Sequence, residues 1–369
     1  MLKKYNFRFY NFILFFLVLA IMIIGVFVVD SVNEEYTVKQ TIGTVLAVVV
    51  MLIVSFVDYH MIARLAFPIY IFGTVLLALV LIAGSSVNNA KRWFTLAGIT
   101  FQPSELAKIL MIIFMAALLS KLKEDDKVNS IRGIFGFLFF WVIPVFLIYK
   151  EPDLSTTICL TMVLFTMLYL SGLSYKLIGI VLLVAIPTFS AFIWYVQQPD
   201  QKLLYEHQVK RIMSFINPSE YKDETMQQEN SVMAIGSGQL MGKGLKKEDG
   251  ASTSATNLIS EQQTDFIFSA VGESFGFFGS VIIIGIILLI VLQCIRAGRH
   301  ARDDVGSLMA WGVGCLIGYQ SFINIGVATK LLPNTGLPLP FISYGMTSIV
   351  SLALGIGLVL NISLQKRRY

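Results

Sequence analysis

Ten apolar runs, each close to the length of a membrane-crossing helix, divide this chain of 369 residues. A helix rises about 1.5 Å per residue and the hydrocarbon core is about 30 Å thick, so a span takes about 20 apolar residues. By that ruler, spans are expected at 12–29, 40–57, 67–84, 105–120, 134–149, 154–171, 177–195, 266–293, 307–328 and 344–363. The fourth and fifth are short and interrupted by polar residues. The expectation is an all-α membrane protein of about ten transmembrane helices, forming a single polytopic domain over residues 1–369. Composition points the same way: 56% of residues are hydrophobic and 14% charged, against about 25% charged in soluble domains. The net charge of +5 is spread over loops and forms no basic stripe, which sets aside nucleic acid as a partner.

The N-terminus imitates a secretory signal, because Lys3, Lys4 and Arg8 precede an apolar stretch. That stretch runs from about Phe12 to Val29 without a small-residue cleavage site after it, so it suits a span better. Cys159, Cys294 and Cys315 lie in or at the end of apolar runs and read as small packing residues. No Cys-x-x-Cys pair or Cys/His cluster marks a metal site.

Loop charge sets the orientation. With the N-terminus in the cytoplasm, the cytoplasmic segments carry 15 Lys and Arg and the short outer loops carry 5. That threefold bias would invert with the opposite topology. Both termini are therefore expected in the cytoplasm. The polar stretch 196–264 becomes a large extracytoplasmic loop between the seventh and eighth spans. Within it, Val209, Ile212, Met213 and Ile216 fall on one helical face, away from Lys210 and Arg211. This pattern predicts a short helix lying on the membrane surface. The glycines Gly236, Gly238, Gly242, Gly244 and Gly250 predict a mobile stretch ahead of Asp265.

Ionisable groups near the membrane are expensive, so each needs a reason. Glu105 and Lys108 stand three apart at the start of the fourth span, either as a mutually neutralising pair or as the lining of a polar cavity. Arg92 beside Trp93 suits an interfacial anchor, or a guanidinium gripping phosphate. Asp153 follows Pro152 at a helix start, where a carboxylate caps free N–H groups. Asp265 stands where the long loop enters an apolar span; a cap is again the simple reading, but Glu273, about two turns deeper, shares its face. Two carboxylates on one face are out of place on a lipid-facing helix. Between the last two spans, residues 330–345 pack three prolines and two glycines. Such backbone is tolerated at membrane depth only when buried or facing a cavity, so a rigid re-entrant loop is expected.

Residues 324–345, Asn-Ile-Gly-Val-Ala-Thr-Lys-Leu-Leu-Pro-Asn-Thr-Gly-Leu-Pro-Leu-Pro-Phe-Ile-Ser-Tyr-Gly, closely resemble the signature of the SEDS family (shape, elongation, division and sporulation; RodA, FtsW and SpoVE). Four further blocks agree in order. They are Arg92-Trp93 with residues 101–108, Glu151-Pro-Asp-Leu154, residues 234–244, and Thr264-Asp-Phe-Ile-Phe268 with Gly272-Glu273. The chain departs from the family at Met346, usually a second Gly, at Ser274, usually a second Glu, at Asn89-Ala90-Lys91, usually ending Gly-Ala, and at 259–263, which lack a common His.

The resemblance implies a membrane peptidoglycan glycosyltransferase. Such an enzyme polymerises lipid II into undecaprenyl-linked glycan at the outer face of the bacterial cytoplasmic membrane. It works beside a class B penicillin-binding protein, a transpeptidase. The wording of the blocks at 234–244 is closest to the RodA type, which implies work with the elongation machinery for cell shape. Asp265 matches the family's essential acidic residue. It is the expected catalytic group, either as general base or as ligand of a divalent cation such as Mg or Mn; both stay open. Arg92, Trp93, Glu105, Lys108, Asp153, Arg211, Glu273, Lys330 and Ser343 are expected around the substrate or cavity. The alternatives are a lipid II flippase, which needs a charged path open to both sides in turn, a division or sporulation paralogue, and a non-catalytic scaffold.

Overall fold

A computed structural model describes residues 9–87, 90–96, 99–198, 201, 204, 206–245, 259 and 261–365. Gly250 of the expected glycine-rich stretch, Lys3, Lys4, Arg8 and the final Lys and Arg residues lie outside them. Each of the ten expected spans falls on an α-helix. These are α1 (Phe12–Val32), α2 (Thr37–Ser55), α4 (Ala66–Ala83), α5 (Pro103–Glu124), α6 (Ile131–Lys150), α7 (Leu154–Leu170), α8 (Tyr175–Val196), α11 (Ile267–Arg299), α12 (Asp304–Ala328) and α13 (Met346–Leu364). Three shorter helices join them: α3 (Tyr59–Arg64), α9 (Glu206–Ile216) and α10 (Lys222–Ser237). Among the described residues, seven helices are long and apolar enough to cross a membrane, and the 17-residue α7 is an eighth apolar helix below that length. The chain is a multi-pass membrane protein.

The all-α expectation needs one correction. The loop between α4 and α5 forms a three-stranded antiparallel sheet of β1 (Ser85–Val87), β2 (Ala90–Leu96) and β3 (Ile99–Phe101). A short polar connection with no apolar run left its strands invisible to a span ruler. Pairing gives their backbone groups partners where no helix supplies them.

The helices sort by how they are covered. α5, α12 and α13 are buried along most of their length, and hold Lys108, Gln320, Asn324 and Asn361 inside the bundle. α1, α2, α4 and α6 keep broad apolar faces outward, as lipid-facing helices do. The departure at Met346 is accommodated by α2, where Gly43 lies against the Met346 backbone and side chain.

α11 runs past its expected span to Arg299, and it is two helices joined at Gly276, which has φ 65 and ψ −162. Such a break frees backbone groups that hydrocarbon cannot satisfy. Residues 239–244 supply them: the Phe277 amide donates to the Gln239 carbonyl at 2.8 Å, and Lys243 and Gly244 amides donate to the Glu273 and Ser274 carbonyls at 2.9 and 3.0 Å. The expected mobility therefore fails over this part of the stretch. Gly236 is helical in α10, Gly238 caps it, and Gly242 and Gly244 are docked into the break.

α9 also differs from expectation. Its Gln208, Arg211 and Ser214 edge turns toward the protein, and Met213 is buried while Phe215 and Ile216 stay exposed. The periodicity gave the amphipathic helix but not its neighbours, because the chain that covers it comes from distant turns.

Candidate active site

The site is built from turns pinned by buried amides. Asp265 lies in the turn 261–266 ahead of α11 and is partly exposed. Asn324 of α12 donates its Nδ2 protons to the Asp265 carbonyl at 2.9 Å and to the Leu337 carbonyl at 2.7 Å. Ser343 adds a second stitch: its hydroxyl accepts the Leu339 amide at 2.7 Å and donates to the Thr264 carbonyl at 2.6 Å. The Tyr344 amide donates to Gln263 at 2.8 Å. The proline-rich segment is thereby laid along the turn that carries Asp265, which is the buried irregular backbone the sequence leads one to expect.

Gly336 stands beside the carboxylate with φ 76. A β-carbon there would lie 3.2 Å from both Asp265 Oδ2 and Arg211 Nη1. The absent side chain thus lets the backbone pass close to both the carboxylate and the guanidinium. Arg211 reaches Gly336 from α9 and spends one N–H on the Thr335 carbonyl at 3.3 Å, out of the five a guanidinium carries. Gln208, on the same edge of α9, donates to the Pro152 carbonyl at 3.2 Å.

Arg92 and Asp153 meet at the 151–153 turn, which Gln208 also contacts. Arg92 Nε donates to the Glu151 carbonyl at 2.7 Å and its Nη2 donates to the Pro152 carbonyl, so the guanidinium braces this turn. Asp153 caps α7 through the Thr156 amide at 3.0 Å and accepts from Gln102 at 3.4 Å. Both residues also act on Asp265 through space.

Burial pushes the Asp265 carboxyl up to about 6. Arg211 and Arg92 oppose the rise, and Glu261 and Asp153 add to it. Glu151 goes further. It is fully buried, neither carboxylate oxygen has a hydrogen-bond partner among the described residues, and burial with Asp153 nearby lifts it to about 9 against the pull of Arg92. It is therefore a neutral acid at pH 7. The sign for Asp265 is direct. Its carboxylate form holds above the raised value and is lost as pH falls through about 6. An ordinary Asp would keep its charge down to about 4. A pH–rate profile with its acid limb near 4 would contradict this environment.

Glu105 and Lys108 are the buried pair their spacing suggests, 2.7 Å apart and 3% and 1% exposed. Lys108 also donates to Gln320 Oε1 at 3.3 Å, and Gln320 Nε2 donates to the Pro338 carbonyl at 3.0 Å. The pair thus connects to the proline-rich segment. Lys108→Met should lower stability by about 3–5 kcal/mol, because Glu105 would remain as a lone buried charge. Removing both charges together should restore part of that loss in a double-mutant cycle of thermal unfolding. Additivity within about 0.5 kcal/mol would contradict the coupling.

Other expected site residues are engaged elsewhere. Glu273 pairs with Lys243 at 2.8 Å and Lys330 with Glu229 at 2.8 Å. Trp93 sits on β2, where its carbonyl accepts the Ser85 hydroxyl at 2.8 Å. Three site residues carried no role in the sequence expectation: Gln208, Gln320 and Asn324. The available signal for the last two was a pair of amides four residues apart on one face of an apolar helix.

The divalent-cation expectation finds no preformed cluster of ligands. Among the described residues no group of three or more His, Cys, Asp or Glu could hold a metal ion, and a guanidinium already flanks the Asp265 carboxylate. Magnesium is usually held by one or two carboxylates together with water and substrate phosphate, so Asp265 as base and Asp265 as cation ligand both stay open.

A multi-pass helical membrane protein with a pinned carboxylate–guanidinium site defines the class. The sequence profile described as "Cell cycle protein", of FtsW, RodA and SpoVE, matches residues 6–368. The chain belongs to this family, the SEDS family. Two relatives are each named "Probable peptidoglycan glycosyltransferase FtsW". One, from Geobacter sp. (strain M18), is 31% identical over 89% of this chain and 87% of its own. The other, from Geobacter metallireducens, is 33% identical over 88% and 84%. The fold matches a chain in a structure described as "Structural coordination of polymerization and crosslinking by a peptidoglycan synthase complex", with TM-score 0.78, 24% identity and coverage of 96% and 97%. It also matches the crystal structure of the rod shape determining protein RodA of Thermus thermophilus, with TM-score 0.70, 23% identity and coverage of 100% and 99%.

Proposed function

We propose that the chain is a peptidoglycan glycosyltransferase that polymerises lipid II at the outer face of the bacterial cytoplasmic membrane, with Asp265 as general base. The observation that carries this is the Asp265 carboxylate held with the Arg211 guanidinium against Gly336. In the transfer, an acceptor sugar hydroxyl attacks the anomeric carbon of a lipid-linked donor. The new glycosidic bond forms, the bond to diphosphate breaks, and the hydroxyl proton passes to Asp265. A carboxylate raised toward 6 remains ionised at pH 7 yet is a better base than a free Asp. Arg211 supplies fixed positive charge for the departing diphosphate. Diphosphate is a good leaving group, so a general acid is less needed than in glycoside hydrolysis.

Ten spans, cytoplasmic termini and an outer site belong to the same proposal, supported by the loop-charge bias. So does a single-span class B penicillin-binding protein as partner, supported by the likeness to a chain of a peptidoglycan synthase complex. The test is a gel of glycan products from the purified chain and labelled lipid II, with and without that partner. Polymer that grows on adding the partner is expected. Absence of polymer under both conditions would reject the reading. The elongation role is separable: rescue of rod shape, without rescue of a division block, is its expected outcome in complementation, and the reverse would assign the chain to division.

A further inference from the structure

We infer that Asn324 is a positioning residue of the transfer site: its one amide group fixes the Asp265 backbone against that of Leu337 and so sets where the carboxylate stands beside Gly336. The inference rests on the reading of Asp265 as the base. Asn324 is 1% exposed and lies inside α12. Its Nδ2 donates to two carbonyls at 2.9 and 2.7 Å, one from Asp265 and one from the residue after Gly336. The orientation follows from chemistry, since only the NH2 side of an amide can face two carbonyl oxygens.

Neither of the two backbones joined this way is regular. Asp265 is in a turn and Leu337 in a segment without helix or strand, so no ladder of main-chain bonds fixes their separation. Gln320, one helical turn earlier, repeats the device on the next carbonyl, Pro338, at 3.0 Å. α12 therefore serves as a rigid rail from which two amides hang the proline-rich segment, and Asn324 alone also grips the catalytic turn. The cost is visible on the same side chain. Asn324 Oδ1 is buried with no partner among the described residues. Unsatisfied buried acceptors are uncommon and call for a reason. Here the reason is geometric, because an apolar residue of the same size would avoid that cost but release both carbonyls.

Asn361 gives a matched control. It is equally buried, near the other end of α13, donates to the Ser55 carbonyl at 2.9 Å and accepts the Tyr59 amide at 3.0 Å. The experiment compares Asn324→Leu and Asn361→Leu in the full chain with its partner, using lipid II polymerisation, thermal unfolding and a pH–rate profile. Asn324→Leu is expected to lower kcat about a hundredfold, the scale of an ångström-size misplacement, with KM within about threefold. Its acid limb should move below that of the wild type, as water reaches the loosened carboxylate. Asn361→Leu should lose a similar amount of thermal stability and keep kcat and the limb. If Asn324→Leu does not fold, Asn324→Ser, which keeps one donor, takes the same readouts. Unchanged kcat and acid limb at position 324, or equal kcat losses at 324 and 361, would overturn the inference. If Asp265→Asn is itself active, the general-base reading fails first; an inactive Asp265→Asn beside a fully active Asn324→Leu sinks this inference alone.

Discussion

Asp265→Asn is expected to abolish glycan polymerisation while leaving the protein folded. Asn has the shape of Asp but cannot take the acceptor proton, so the loss should reach the scale of general-base catalysis, roughly 10²–10⁴-fold in kcat. Stability should move the other way. The folded environment holds the Asp265 carboxyl above its ordinary value, so ionising it inside the protein costs stability at pH 7. The neutral amide escapes that cost, and its backbone carbonyl still accepts from Asn324. The expected result is an inactive variant with unfolding temperature equal to or above that of the wild type at pH 7. A simple helix cap would behave otherwise, with a stability change of about 0.5–2 kcal/mol at most and activity kept. Normal polymerisation by the Asn variant would end the general-base reading.

Gly336→Ala is expected to be nearly as damaging, although it touches no charge. The added methyl would sit 3.2 Å from both the carboxylate and the guanidinium, so one or both would have to shift. Its backbone, with φ 76, also lies where residues with a β-carbon are uncommon. Strain there costs about 1–3 kcal/mol, and displacement of the segment by about 1 Å can cost 10²-fold in rate. Kinetics should show a fall in kcat with a smaller change in KM. Full activity in Gly336→Ala would show that the transfer does not need Asp265 and Arg211 held in their places beside Gly336.

Much of this molecule is legible in its sequence because lipid imposes a strict ruler. Long apolar runs must become helices, and all ten runs did. The three strands escaped because their polar connection has no comparable constraint. The break at Gly276 lay inside an expected span and could not be read from it, because the partners of its freed amides stand some forty positions earlier. At the site, Asp265 and the proline-rich segment stand out as features a lipid-facing chain would avoid. Glu105 and Lys108 stand out for the same reason, and their pairing follows from helical spacing. What spacing does not convey is contact between distant turns. Arg211 reached Asp265 because α9 turns its polar edge inward, and Arg92 became a brace because the 151–153 turn presents it with carbonyls. Asn324 was within the family signature, but its double grip appears only when the two backbones are seen side by side.

The central claim is that the site at Asp265 joins sugars rather than moving a lipid across the membrane. The direct test places the purified chain and its partner in vesicles with fluorescent lipid II, and follows glycan length on gels alongside exposure of the label to a quencher that stays outside. The account predicts long glycan from the wild type, none from Asp265→Asn, and the same rate of label exchange between leaflets in both. Label exchange that depends on Asp265, with no polymer formed, would contradict it and make the chain a flippase.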